Sequence, residues 1–167
     1  GTSGIPAAMN VLKRLEDMHA QQPQTVFLTG ASYQTIMSCL ASRVSSTARR
    51  APGNDSSRSD IDQQVSSSSS SSSSSLIWSQ TCAVTAVEVI QRAEAQFYLC
   101  GNNRVRLLGQ LYKDALECCR VPQPIESSCD DDDDTKSVAA AAREASDWIQ
   151  ERFDKQSSTW SSYSHIR

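Results

Sequence analysis

The serine-rich stretch at 45–75, which includes ten consecutive serines, divides the chain into two parts. Such a composition buries too little apolar surface to offset the chain entropy lost on folding. We therefore predict a disordered insertion at 45–75. Ordered structure is expected on either side, at 5–44 and 76–155, followed by a flexible tail at 156–167.

Helical periodicity dominates both ordered parts, since apolar residues recur three and four positions apart. The pattern predicts two helices before the insertion and three after it, so the fold class is all-α. The short run TVFLT at 25–29 is too isolated to predict a strand. The predicted core stripes are Ala8, Val11, Leu15 and Met18; Tyr33, Ile36 or Met37, Leu40 and Val44; Ala83, Ala86, Ile90, Ala93, Phe97 and Cys100; Val105, Leu108, Tyr112, Ala115 and Cys119; and Val138, Ala142, Ala145, Ile149 and Phe153.

Charge and cysteine usage narrow the possible functions. The net charge is −3, and five acidic residues form the run Asp130–Asp134, which argues against autonomous nucleic-acid binding through phosphates. The six cysteines show no CxxC pair and no histidine at ligand spacing, so we interpret most of them as small buried apolar residues. No apolar stretch approaches the length needed to cross a membrane, so no membrane insertion is expected.

No catalytic motif is present in the sequence. We find no nucleophile elbow, phosphate-binding loop, carboxylate pair in a defined turn or metal-ligand spacing. We therefore predict that the protein is not an enzyme and requires neither a cofactor nor a metal.

Two segments resemble the pentatricopeptide (PPR) repeat. The sequence ASYQTIMSCLASR at 31–43 is similar to the first helix of that repeat, and AAMNVLKRLEDMHAQQ at 7–22 is similar to the second helix of a preceding one. Further on, CGNNRVRLLGQLYKDALECCRVPQP at 100–124 is similar to the repeat's turn and second helix. The resemblance covers about 70 of the 167 residues.

The PPR resemblance implies a short α-solenoid of antiparallel helix pairs. It also implies a non-catalytic scaffold in a mitochondrial ribonucleoprotein such as a ribosome, in contact with ribosomal RNA and neighbouring proteins. The residue after the repeat's tyrosine reads bases in this family, which here is Gln34. We add Arg43, Arg104 and Arg106 as candidate phosphate contacts, because basic side chains on helix faces can meet the RNA backbone.

The three helices after the insertion also resemble the microtubule-interacting-and-trafficking (MIT) module. That resemblance rests on the alanine-rich third helix, the Gly101-Asn102 turn and the LYKDAL sequence at 111–116. It implies a cytoplasmic module of trafficking or autophagy that binds an amphipathic partner helix in a groove. The two hypotheses differ in one respect: the solenoid requires the helices at 8–44 to pack on those at 78–119, whereas the module leaves them separate.

Overall fold

The computed structural model describes residues 4–49, 71–120 and 133–163. Five α-helices cover most of these ranges: α1 (Gly4–Gln21), α2 (Gly30–Arg49), α3 (Ser71–Glu94), α4 (Gly109–Cys118) and α5 (Asp133–Tyr163). A π-helical turn, Ala95–Leu99, continues α3, and the described residues contain no β-strand. The predicted all-α fold class and the number of helices are confirmed.

The helices form two layers. In one layer α2 packs along α4, and in the other α3 packs along α5. Consecutive helices pack across the layers, α2 on α3, α3 on α4 and α4 on α5. In the described residues α2 does not approach α5, so the arrangement is open rather than a closed four-helix ring. The first helix, α1, approaches only α2 along its backbone.

The predicted core faces of α2 and α5 are confirmed. Tyr33, Met37, Leu40 and Val44 of α2 are buried, and so are Val138, Ala142, Ala145 and Ile149 of α5, while Phe153 is half-buried against the core. In α3 the buried residues include Ala83, Ala86, Ile90 and Ala93. Small residues on this face let α3 lie close to the three helices that surround it.

The predicted face of α1 is wrong. Ile5 and Leu12 are buried, whereas Val11 is 67% exposed and Met18 is also exposed. Apolar residues cover more than half of the circumference of α1, so periodicity did not define which part faces the core. Leu15 lies at the margin of the core and is partly buried.

The ends of two other predicted stripes are also wrong. Cys100 follows the π-helical turn and is exposed, and Phe97 is only half-buried. Leu108 is exposed because α4 begins one residue later, at Gly109. Val105 is buried from a turn in the connection, where its amide donates to the carbonyl oxygen of Asn102 at 3.0 Å, rather than from a helix. Tyr112, Ala115 and Cys119 are buried as predicted.

Helices extend further than predicted at both the insertion and the tail. Of the segment predicted as a disordered insertion, 45–49 belongs to α2 and 71–75 to α3, and 50–70 lies outside the described residues. The tail predicted as flexible from 156 is helical up to Tyr163. Exposed pairs one turn apart support this part of α5, with Lys155 binding Glu151 at 2.6 Å and Gln150 binding Asp154 at 2.9 Å. As predicted, the 25–29 run forms a turn and an irregular connection rather than a strand.

Candidate partner-binding edge

The α1–α2 and α3–α4 connections lie side by side at one end of the molecule. The amide of Gly30 donates to the carbonyl oxygen of Arg104 at 3.2 Å, and the side-chain amide of Asn102 donates to the carbonyl oxygen of Leu28 at 3.1 Å. A Cβ atom at Gly30 would stand 2.6 Å from the carbonyl oxygen of Arg106, so only glycine fits there. We call this junction, formed by residues 22–29 and 98–108, the connection edge.

His19 joins both connections. Its Nδ1 lies 2.7 Å from the carbonyl oxygen of Val26, and its Nε2 lies 3.2 Å from the side-chain amide nitrogen of Asn102. The pattern is satisfied by a neutral ring that donates from Nδ1 and accepts at Nε2. On the Asn102 side, Gly101 has φ of 65°. The main-chain amide of Asn102 then donates to the carbonyl oxygen of Gln96 at 2.9 Å, which ends the preceding helix.

The connection edge presents arginines among exposed apolar side chains. Arg104 and Arg106 are both exposed, and the Arg104 guanidinium lies over the Phe27 ring, 4.2 Å from its centroid. Phe27 is 52% exposed. The large exposed apolar or aromatic residues of this edge are Phe27, Tyr98, Leu99 and Leu108. Guanidinium groups and aromatic rings together can bind stacked bases or acidic peptide surfaces.

Tyr98 belongs to this edge and not to the core. It is exposed at the end of the π-helical turn, packs edge-on against Phe97 and shares a hydrogen bond with Gln156 of α5. Two other aromatic residues lie further inside, since Tyr112 is fully buried and Trp148 is partly buried.

The four predicted binding residues do not form one site. Arg104 and Arg106 share the connection edge, but Gln34 is held between α2 and α4, where its side-chain amide donates to Asp114 at 2.6 Å and to Ser38 at 3.1 Å. Its Oε1 atom is buried without a hydrogen-bond partner. Gln34 therefore links two helices, which differs from the free base-reading side chain that the PPR resemblance implied.

Arg43 lies far along α2 from the connection edge. Its guanidinium lies beside Gly4, where a Cβ would be 3.0 Å from Nη1, and its positive charge acts on the Cys82 thiol. Burial nevertheless dominates at that thiol and raises the pKa of Cys82 to about 11. The position of Arg43 against α1 and α3 is consistent with a structural contact.

A contact between three side chains occurs twice in the molecule. The Tyr33 hydroxyl of α2 donates to Glu16 Oε1 of α1 at 2.8 Å, and Arg92 of α3 donates to Glu16 Oε2 at 2.7 Å. In the next pair of helices Tyr112 donates to Glu94 Oε1 at 3.1 Å, and Arg152 of α5 donates to Glu94 Oε2 at 3.1 Å. We call each set a Tyr–Glu–Arg contact. Each contact joins the two helices of a hairpin through its tyrosine and glutamate. Its arginine comes from the next helix in the order α1, α3, α5.

Burial suppresses ionisation of both tyrosines. It is the main cause of the raised pKa of Tyr33 and of Tyr112, and the hydrogen bond and negative charge of the neighbouring glutamate raise it further. A phenol that stays protonated remains a donor to the carboxylate, so the contacts persist throughout the physiological pH range.

An internal repeat in the sequence carries a signal for these contacts. VLKRLE at 11–16 is matched by VIQRAE at 89–94, and LTGASYQTIMSC at 28–39 is matched by LLGQLYKDALEC at 107–118. The shared letters include the glutamate and tyrosine of each contact and the glycine that opens α2 and α4. Self-comparison of the chain would have paired α1 with α3 and α2 with α4.

The described residues hold no cluster suited to metal binding, and most of their cysteines are buried. They contain no group of three or more His, Cys, Asp or Glu residues that could hold a metal ion. The five described cysteines are free thiols, with Cys82, Cys118 and Cys119 buried and Cys39 and Cys100 exposed. Burial raises the pKa of the Cys118 thiol and that of Cys119, the latter to about 11, which lowers their reactivity as nucleophiles. Within the same residues, no helix combines the length and apolar character of a membrane span.

Comparison of the chain with protein-family models, with curated proteins and with solved structures finds no match. The function is therefore argued from the geometry of the chain.

Proposed function

We propose that the protein is a non-catalytic helical-repeat scaffold whose connection edge contacts single-stranded RNA within a larger ribonucleoprotein. The observation that carries the proposal is the position of the Arg104 guanidinium over the exposed Phe27 ring, with Arg106 exposed on the same edge. Single-stranded RNA is bound by such combinations, in which rings and guanidinium planes stack on bases while cationic groups contact phosphates.

The open two-layer arrangement supports a repeat scaffold. From α2 onward, helices pack on their sequence neighbours and on the helix after next, as in a short α-solenoid, and the Tyr–Glu–Arg contact recurs with the same chemistry. The packing of α2 on both α3 and α4 favours this scaffold over a separate MIT-like module at 78–153. A mitochondrial ribosome is the setting that the PPR resemblance implies.

Binding to a fluorescent uridine 20-mer tests the edge directly. Fluorescence anisotropy would compare the wild type with the Arg104→Glu/Arg106→Glu double variant, and with Lys113→Glu/Arg120→Glu as a control of equal charge change. We expect the edge variant to weaken binding and to reduce the slope of log K against log salt by about 1.4, from two phosphate contacts at ~0.7 each. The control should retain the wild-type salt slope.

Two outcomes would overturn the RNA proposal. One is wild-type binding weaker than about 10⁻⁴ M near physiological salt, below ordinary non-specific affinity. The other is an equal loss in the edge and control variants, since net charge rather than the edge would then govern binding.

Affinity purification of the protein from its own cells, with and without RNase, tests the setting. Recovery of ribosomal RNA and ribosomal proteins from an organelle would support the ribonucleoprotein. RNase-resistant recovery of trafficking or autophagy factors would instead favour the helix-groove alternative.

A further inference from the structure

An Arg-x-acid pair occurs at matching positions of α1, α3 and α5. The three pairs are Arg14 with Glu16, Arg92 with Glu94, and Arg152 with Asp154. In two of them the arginine binds the glutamate of the preceding helix in the series: Arg92 binds Glu16 and Arg152 binds Glu94. Arg14 holds the same position on α1, is exposed, and has no ion pair within the described residues.

The apolar residues that precede these arginines differ in exposure, again with α1 set apart from α3 and α5. Val11 lies three residues before Arg14, and Val89 and Ile149 hold that position before Arg92 and Arg152. Val89 and Ile149 are fully buried (0% exposed), whereas Val11 is 67% exposed. Met18, one turn beyond Arg14 on α1, is also exposed. The face that α3 and α5 bury is therefore uncovered on α1.

At the opposite end of the series, the outer face of α5 carries polar side chains. On α5 the exposed positions Arg143, Asp147, Gln150 and Asp154 make a polar outer surface, in which the Gln150 side chain donates to Asp154. A polar outer face is what a terminal repeat needs for solubility. The two ends thus differ in kind: α5 resembles a cap, and α1 retains the surface of an internal helix.

We propose that the outer face of α1, formed by Val11, Arg14 and Met18, is a docking site for a helical hairpin of a partner protein. The partner helix presents a carboxylate to Arg14, as Glu16 does to Arg92 and Glu94 does to Arg152. Its apolar side chains cover Val11 and Met18. The occupant follows from charge complementarity and from the two equivalent joints already formed within this chain.

A second copy of the chain fits this face poorly. Two α1 faces placed together would bring Arg14 against Arg14, and the outer face of α5 offers Asp154 among described side chains that are polar. Like charges placed together disfavour pairing. A protein-binding face on α1 is also separate from the connection edge, so it does not depend on RNA binding.

The test is photo-crosslinking of the full chain in its own cells. p-Benzoylphenylalanine replaces Val11, and in a matched control it replaces Gln150 on the outer face of α5. Crosslinked peptides are then identified by mass spectrometry. We expect a partner helix that carries Asp or Glu to be crosslinked at position 11 and not at position 150.

Charge reversal then distinguishes docking from chance contact. We expect Arg14→Glu to reduce the crosslink yield at position 11 by about tenfold, because it sets like charges together, while Lys13→Glu on another face of α1 leaves the yield unchanged. Reversing the partner's carboxylate to lysine should restore the yield with Arg14→Glu. Circular dichroism melting shows whether each variant remains folded.

Four results would overturn the proposal. They are crosslinks to a second copy or within the same polypeptide, crosslinks to RNA, equal yields at positions 11 and 150, and insensitivity of a folded Arg14→Glu variant. Loss of RNA binding at the connection edge would leave this result unaffected.

Discussion

The hairpin of α1 and α2 and the hairpin of α3 and α4 carry the same Tyr–Glu–Arg contact but are buried to different extents. In both, a buried tyrosine and an arginine hold the two oxygens of one glutamate. The second hairpin is packed between α2 and α5, whereas α1 approaches only α2 along its backbone. We therefore expect the α3–α4 hairpin to be the more stable of the two despite the shared contact. It packs against helices on two sides and so buries more apolar surface.

Truncating the matching core residues should give the largest effects. Ile90 and Leu12 are both fully buried, so Ile90→Ala should lower the free energy of unfolding by about 3–5 kcal/mol and Leu12→Ala by about 2–3 kcal/mol. The smaller value is expected because α1 can detach at lower cost than α3. Urea denaturation measures both, with exposed Val84→Ala as the control. A larger loss for Leu12→Ala would show that α1 is integral to the core.

Truncating the matching valines, Val89 and Val11, should give a sharper difference in stability loss between the two hairpins. Val89→Ala is expected to cost about 2 kcal/mol, since it leaves a cavity in a fully buried site. Val11→Ala should change stability by less than about 0.5 kcal/mol, because that side chain is exposed and alanine favours a helix. Thermal melts of the isolated chain would check this, and equal losses would contradict the uncovered face of α1.

Removing one hydroxyl from each Tyr–Glu–Arg contact should give smaller losses. Tyr112→Phe leaves Glu94 Oε1 without its donor at a buried position, and a cost of about 1–2 kcal/mol is expected. Tyr33→Phe should cost less, because Glu16 is more exposed than Glu94. Exposed Tyr98→Phe serves as the control, and denaturant midpoints would rank the three variants.

A gradual loss of stability is expected in alkali. Burial raises the pKa of Cys82 and of Cys119 to about 11, from an ordinary value of 9.0. The unfolded chain releases these protons first, so the contribution of these two thiols to stability is constant below pH 9 and falls as pH rises from 9 to 11. Urea midpoints across this range, compared with a Cys82→Ala/Cys119→Ala variant, measure the effect. A decline as steep in that variant would assign the loss to other groups.

The helices themselves could be predicted from sequence because their periodicity is local. The faces of α2 and α5 were correct since each has one narrow apolar stripe, whereas α1 has apolar residues on two sides, and only its contacts show which side is covered. Arg104 and Arg106 were identified as candidate contacts from their charge. The contact of Arg104 with Phe27 was not predicted, because it depends on Gly30 and Asn102, which join connections distant in sequence.

The way in which the connection edge is held has an evolutionary consequence. Gly30 donates from its main chain to a main-chain carbonyl, and Asn102 bonds the carbonyl of Leu28, so the path of both connections depends on few side chains. The exposed side chains Phe27, Arg104 and Arg106 can be exchanged while that path is kept. Selection can therefore alter the exposed surface of the edge with little penalty in folding, which separates the evolution of that surface from that of the helical framework.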